Sequence, residues 1–203
     1  MSVVGSLHGK HVFGRRVEVL SRHLAELLPR GARTLDVGCG DGSIDRRVME
    51  RRPDLAIEGV DVLVRPSTQI PVRAFDGRTL PAATGSYDAV TLVDVLHHAE
   101  DPRHLLAEAA RVARLAVVVK DHYREGLLAG PVLRLMDWVG NAHHGVELRY
   151  DYWTESEWET AFREAGLAPT ERRRHLGLYA WPARLVFERR LHFAARLEPS
   201  RRS

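Results

Sequence analysis

The chain has 203 residues, a length that suits one well-buried domain and leaves little room for two. Its composition, 44% hydrophobic and 28% charged, is ordinary for a globular protein, and no apolar run approaches the roughly 20 residues that span a bilayer. A net charge of +3 rests on arginine, with Lys10 and Lys120 the sole lysines, and no broad basic stripe accompanies it, so a nucleic-acid partner is not expected.

The opening MSVVGSLHGK lacks the basic start, apolar block and cleavage site of a secretory signal, which points to a cytoplasmic protein without membrane attachment. Val12 to Leu28 carries apolar residues at close to helical period and stops at Pro29-Arg30-Gly31. Thr34 to Val37 reads as a short buried strand running into Gly38-Cys39-Gly40-Asp41-Gly42. Ser43 to Arg52 follows as a helix, with Ser43 as its expected cap. Further strands are predicted at Ala56–Val60, Ile70–Phe75, Asp88–Val93 and Leu115–Val119, with a helix from Asp101-Pro102 to about Arg111. Beyond them, Pro131–Val139 is a candidate helix. Thr154 to Ala165 is a better one, because Thr154 and Glu157 form a capping box and Gly166 is a stop. Ala168–Leu176 and His192–Glu198 are read as final strands, with a loop at Tyr179–Pro182. The run Arg172 to His175 reads as a solvated strand or loop.

Short apolar strands alternating with helices imply an α/β fold: a parallel sheet with helices on both faces, in which ligands bind at the carboxyl ends of the strands. The unusual residues sit at those ends: Asp36 with the glycines, Asp61, Asp76, Asp94 with His97 and His98, and Lys120-Asp121-His122. The strand–turn–helix with Gly38, Gly40 and Gly42 lets backbone approach a ligand closely, and Asp61 ends the next strand, where a carboxylate can accept hydrogen bonds from both ribose hydroxyls. A nucleoside cofactor is therefore expected. The spacing is G-x-G-x-G, not the G-x-G-x-x-G of a pyrophosphate turn, and Asp36 and Asp41 flank it. Those acids favour the cationic S-adenosylmethionine over an anionic dinucleotide.

Leu35-Asp36-Val37-Gly38-Cys39-Gly40-Asp41-Gly42, then Gly59-Val60-Asp61, Ala74-Phe75-Asp76-Gly77 and the run from Asp88 to His98, resemble the motifs of the class I S-adenosylmethionine-dependent methyltransferases. The resemblance is specific from about residue 33 to 120. It implies a Rossmann-like, three-layer, doubly wound sheet of seven mostly parallel strands with the last antiparallel. It also implies a site in which the glycine turn (Gly38, Cys39, Gly40) holds the methionyl part, Asp36 organises that turn or the ammonium, Asp61 binds the ribose with Val62 beside it in the cofactor site, Asp76 and Gly77 meet the adenine, and Val93 and Asp94 line the region of the sulfonium. One departure is the short, Pro66-containing stretch from Val62 to Gln69, where the family's usual helix looks truncated. One domain is expected, with a helical segment over residues 1–30, a cofactor core over 33–120 and an acceptor-side lid with C-terminal elements over 121–182.

Methyl transfer from a sulfonium is an in-line displacement whose main demand is alignment, and a base is needed only where the nucleophile must lose a proton. His98 and His122 are the candidate catalytic residues, because both follow strands whose ends face the cofactor. Packing against the sheet is the preferred reading of His97. Cys39 is read as a small packed residue, not a nucleophile. No metal site is expected, since His143-His144 lack a third ligand at fixed spacing. Trp138, Tyr150, Tyr152 and Trp153, in the presumed lid, favour a partly apolar small molecule as the methyl acceptor, with S-adenosylhomocysteine as coproduct. Two other readings stay open: a catalytically silent methyltransferase-like scaffold, and a nicotinamide-dependent oxidoreductase.

Overall fold

The computed structural model describes residues 3–126, 129–134, 152–188 and 191–200, with side chains in the first helix from residue 14 onward. In chain order the elements are α1 (Val3–Leu27), β1 (Arg33–Val37), α2 (Ser43–Arg51), β2 (Ala56–Asp61), β3 (Val72–Ala74), β4 (Tyr87–Val93), α3 (Pro102–Val112) and β5 (Ala113–His122). Then come α4, described over residues 129–134, α5 (Glu155–Glu164), β6 (Leu167–Arg173), α6 (Arg184–Phe187) and β7 (His192–Pro199). The seven strands form one sheet in the order β3-β2-β1-β4-β5-β7-β6. Every pair from β3 to β5 is parallel, and β7 runs antiparallel to both β5 and β6, as the resemblance implied.

The apolar runs are continuous because helices cover both faces, and strand alternation then sorts the side chains into two cores. Leu35, Val37, Val90, Leu92, Val117 and Val119 pack beneath α3 and α5 with Leu105, Leu106 and Phe162. On the other face Ile57, Ala89, Val118 and Ala194 pack beneath α1 and α2 with Leu20, Leu24, Leu27 and Val48. Each such leucine, fully buried, contributes about 1.5–3 kcal/mol. Order reverses between β1 and β4, the position where sheets of this kind bind ligands at their carboxyl ends.

The predicted caps of α3 and α5 are present. Asp101 accepts from the His104 amide at 3.0 Å, and Thr154 and Glu157 bond reciprocally. At α2 the cap differs: Asp41, not Ser43, supplies the acceptor, taking the Ser43 N–H at 3.0 Å and the Ser43 hydroxyl at 2.7 Å. Residues 62–71 carry no helix, consistent with the truncation read from Pro66. β3 is shorter than predicted, and β5 runs on through Lys120, Asp121 and His122, because those polar side chains are paired inside the fold. α6 was not foreseen after the Tyr179–Pro182 loop. Tyr152, Trp153 and Trp158 are buried packing residues, whereas Trp181 is 73% exposed. Trp138, His143, His144 and Tyr150 lie outside the described residues.

Candidate active site

The turn after β1 is built on left-handed glycines. Gly38, Gly40 and Gly42 have φ of 72°, 59° and 73°, a region where a side chain costs about 1–2 kcal/mol. At Gly38 a Cβ would stand 2.5 Å from Val95 Cγ2, while at Gly40 it would meet nothing within 4 Å. The turn is thus closed beneath Gly38 and open above Gly40, a cradle that a Cβ would fill. Cys39 turns the other way. Its sulfur lies against Gly59, where a Cβ would stand 2.3 Å from Sγ, and burial with the neighbouring acids pushes its thiol pKa up, so it behaves as a packed residue.

Beneath the turn Asp36 is 5% exposed, accepts from the Thr91 hydroxyl and lies beside buried Asp45 of α2. Burial pushes Asp36 up to about 6 even though the Thr91 hydroxyl and Asp45 favour its charged form, and burial together with the Asp36 charge raises Asp45 well above the usual carboxylate range. Asp61, at the tip of β2, accepts from the Gly40 amide at 2.8 Å and the Leu63 amide at 2.9 Å, so the β1 turn and the β2 acid form one constellation. Val62 next to it is 64% exposed and near Gly77, where a Cβ would lie 3.2 Å from Val62 Cγ1. Asp76 is exposed and turns back on its own loop, accepting from the amides of Arg78 at 2.8 Å and Thr79 at 2.7 Å, and these bonds lower its pKa. None of Asp36, Asp41, Asp45 and Asp61 has a cationic partner among the described residues.

The ends of β4 and β5 are different. Asp94, just after Val93, has φ of 56°. Its two oxygens pair with Lys120 of β5 and Arg16 of α1. Burial alone would raise the Asp94 carboxyl, but Lys120 and Arg16 hold it well below the usual carboxylate range. Lys120 is fully buried, 3.5 Å from His192 Nδ1, and its pKa is lowered by burial. Asp121 Oδ1 takes three donors: His97 Nδ1 at 2.6 Å, His122 Nδ1 at 3.2 Å and the His122 amide at 2.8 Å. The Trp158 indole N–H donates to the His122 carbonyl at 3.0 Å, fixing the end of β5 from α5. The His122 ring lies 4.9 Å from that of His97 and 5.9 Å from Tyr152, and the His98 ring lies 4.0 Å from that of His97, tilted by 47°. Burial and Lys120 lower the His122 pKa, so a neutral imidazole is favoured.

Asp94, His97, Asp121 and His122 each bring one donor atom within 4.8 Å of the others. The 2.6 Å spacing of His97 and Asp121 is that of a hydrogen bond. Two atoms bound to one ion at about 2.1 Å in tetrahedral geometry would stand about 3.4 Å apart. The cluster reads as a proton-sharing network.

The fold therefore brings Asp36, Gly38, Gly40 and Asp61 to one turn, with Val62 and Gly77 on its rim, and gathers Asp94, His98 and His122 at the neighbouring strand ends. Asp76 stands on a separate loop, whose amides donate to its Oδ1. Asp45, Thr91, Arg16 and His192 escaped the sequence reading, because each acts across the sheet on a residue far away in the chain. An open cleft of about 370 Å³, lined by Arg33, Glu58, Arg73 and Tyr87, lies at the opposite, amino end of β1 and β4, away from all of these groups.

Known proteins resemble this chain in sequence and in fold. The chain is 32% identical over 110 residues to 27-O-demethylrifamycin SV methyltransferase of Amycolatopsis mediterranei, covering 47% of this chain and 40% of that protein. It is 36% identical over 94 residues to the ubiquinone biosynthesis O-methyltransferase of Xanthomonas oryzae pv. oryzae, covering 41% of this chain and 39% of that protein. The match thus spans about two fifths of the length of these curated relatives. Among solved structures, a chain of the Haloferax volcanii complex containing the Trm112 methyltransferase activator superposes with a TM-score of 0.70 at 20% identity, covering 91% of each chain. An S-adenosylmethionine-dependent methyltransferase from Mesorhizobium loti gives 0.63 at 18% identity, covering 87% of this chain and 96% of that one. The methyltransferase-domain family matches residues 9–172, most of the chain, and to that family this protein belongs.

Proposed function

We propose that the protein binds S-adenosylmethionine at the β1 and β2 ends and transfers its methyl group, in the cytoplasm, to a partly apolar small molecule lying over the β4 and β5 ends. The observation that carries this reading is the charge of the turn. Asp41 already occupies the N-terminal amide of α2, where a pyrophosphate would bind, and Asp61 sits against Gly40 with no cation beside it. A cationic nucleoside is favoured there and a dinucleotide is not. That weighs against a nicotinamide oxidoreductase.

When bound, S-adenosylmethionine supplies a methyl carbon on a sulfonium; the acceptor–methyl bond forms as the sulfur–methyl bond breaks, and the bonding pair stays on a neutral thioether. Asp61 would hold the ribose, the open backbone at Gly40 the methionyl part, and Val62 and Gly77 the adenine rim. Asp36, shielded beneath the turn, organises it, and the same holds for Cys39, whose side chain faces the core. Val93 and Asp94 would border the reacting centre, with the Asp94 charge already satisfied by Lys120 and Arg16.

His98 and His122 border the acceptor side. His122 Nε2 has no hydrogen-bond partner among the described residues, whereas its Nδ1 is tied to Asp121. That leaves Nε2 to take the proton of a hydroxyl acceptor, and the names of the two relatives, one of them an O-methyltransferase, favour oxygen as the methylated atom. The test is incubation with methyl-labelled S-adenosylmethionine and a small-molecule extract, with products identified by mass spectrometry. A labelled small molecule supports the reading; cofactor binding with no label transferred to any acceptor supports the scaffold reading.

A further inference from the structure

The geometry points to His97 and Asp121 as a positioning pair that sets the tautomer and basicity of His122. This inference rests on the transferase reading above and extends it to residues at the centre of the polar network.

Asp121 is buried to 1% exposure, and one of its oxygens, Oδ1, receives both imidazole Nδ1 atoms and the His122 amide. Its other oxygen, Oδ2, is buried with no hydrogen-bond partner among the described residues. A carboxylate in that setting is acceptor-only, so each Nδ1 must carry a proton toward it. His122 is thereby held as the Nδ1–H tautomer, with Nε2 left as the lone-pair nitrogen. His97 shares the same oxygen at the shorter distance, 2.6 Å against 3.2 Å, and so takes part of the carboxylate's charge away from His122. His97 is a brake on His122: it keeps Asp121 from making that imidazole too basic to stay neutral.

The groups facing His122 are Asp121 and Lys120 on β5, Asp94 after β4, His97 on the turn that follows, His192 on β7 and Tyr152 before α5, with Arg16 of α1 reaching it through Asp94. Lys120 and Arg16 offset Asp94, which leaves Asp121 as the carboxylate that His122 and His97 divide. In the transfer the acceptor's O–H bond would break, its proton passing to His122 Nε2 to give an imidazolium, as the oxygen gains the methyl group. The acceptor class that needs such an arrangement is one whose nucleophile carries a proton: a phenol, an enol or another hydroxyl.

The test needs no acceptor. In the ¹⁵N-labelled wild-type protein, assigned with His122→Gln, nitrogen shifts should report a neutral Nδ1–H His122. His97→Leu frees Asp121 for His122 and should raise the His122 titration midpoint by about 0.5–1 pH unit, while His97→Asn, which keeps a donor toward Asp121, should return it to near the wild-type value. Affinity for S-adenosylhomocysteine should stay within about twofold in both variants, because neither touches the glycine turn. An Nε2–H tautomer in the wild type, or a midpoint unmoved or lowered in a His97→Leu protein that still binds S-adenosylhomocysteine, overturns the assignment alone. Failure of the wild-type protein to bind S-adenosylhomocysteine overturns the transferase reading and this assignment with it. Should His97→Leu not fold, the wild-type tautomer and the Asn variant decide the matter.

Discussion

Two neighbouring groups of acids occupy the carboxyl edge of this sheet, and they are wired in opposite ways. At the β1 and β2 ends Asp36, Asp41, Asp45 and Asp61 are held by amides, hydroxyls and one another, with no cation attached among the described residues. At the β4 and β5 ends Asp94 is matched by Lys120 and Arg16, and Asp121 by two imidazoles. One region, through Asp41 and Asp61, keeps negative potential in reserve for a positively charged ligand. The other is balanced internally and offers a neutral ring nitrogen. A single sheet edge can thus serve a cation and a proton transfer side by side because its charge is compensated on one side and left open on the other.

The largest effect should come from unbalancing the compensated side. Lys120→Met leaves Asp94 buried with Arg16 alone and should cost about 3 kcal/mol of stability, the lower part of the range for breaking a buried pair. Adding Asp94→Asn should recover much of that loss, which denaturant titration of the single and double variants would show. Equal losses that simply add would mean the pair is not coupled. On the open side, Asp61→Ala should weaken S-adenosylhomocysteine binding about 100-fold, corresponding to two hydrogen bonds to a charged acceptor, and the lost Gly40 and Leu63 amide bonds should cost about 1.5–3 kcal/mol of stability. Unchanged calorimetric affinity would remove Asp61 from the ribose.

Gly38→Ala tests the backbone beneath both. The left-handed φ of 72° and the 2.5 Å approach to Val95 predict a loss of about 2 kcal/mol, read as a lower urea midpoint. The smallest effect concerns the shielded acids. Asp36 ionises near 3.8 when unfolded and about 6 when folded, so the native state binds more protons across that window. Stability from Asp36 is therefore fullest below pH about 4 and declines as pH rises through about 6, and Asp45, raised in the same direction, adds to the decline. Asp45→Asn, which keeps a side-chain amide beside Asp36 and removes the second raised carboxyl, should flatten that decline and raise Tm modestly at pH 8. A steeper decline in the variant would contradict this account of the shielded acids.

The open side was largely legible in the sequence and the balanced side was not. Gly38, Gly40 and Gly42 announce their left-handed turn locally, and Asp61 follows from where an apolar strand ends, so neither needs knowledge of distant contacts. Lys120-Asp121-His122 reads as a strand terminator because three polar residues follow five apolar ones. They continue β5 instead, since Lys120 meets Asp94 and His192, and Asp121 meets His97, contacts made only when β4, β5 and β7 are assembled. Ser43 is the natural cap by residue type, but its hydroxyl is used as a donor to Asp41, which also takes the Ser43 amide. Nothing in the sequence singles out Asp45; periodicity alone does not reveal that α2 buries it beside Asp36.

The central claim is that the glycine turn, edged by uncompensated carboxylates, selects a positively charged nucleoside. Isothermal titration of the wild-type protein with S-adenosylmethionine and, separately, with oxidised nicotinamide adenine dinucleotide puts that claim to a direct comparison. Saturable binding of the sulfonium compound, at least about 100-fold tighter than any binding of the dinucleotide, is the expected result. A dinucleotide that binds as tightly or more tightly would contradict it.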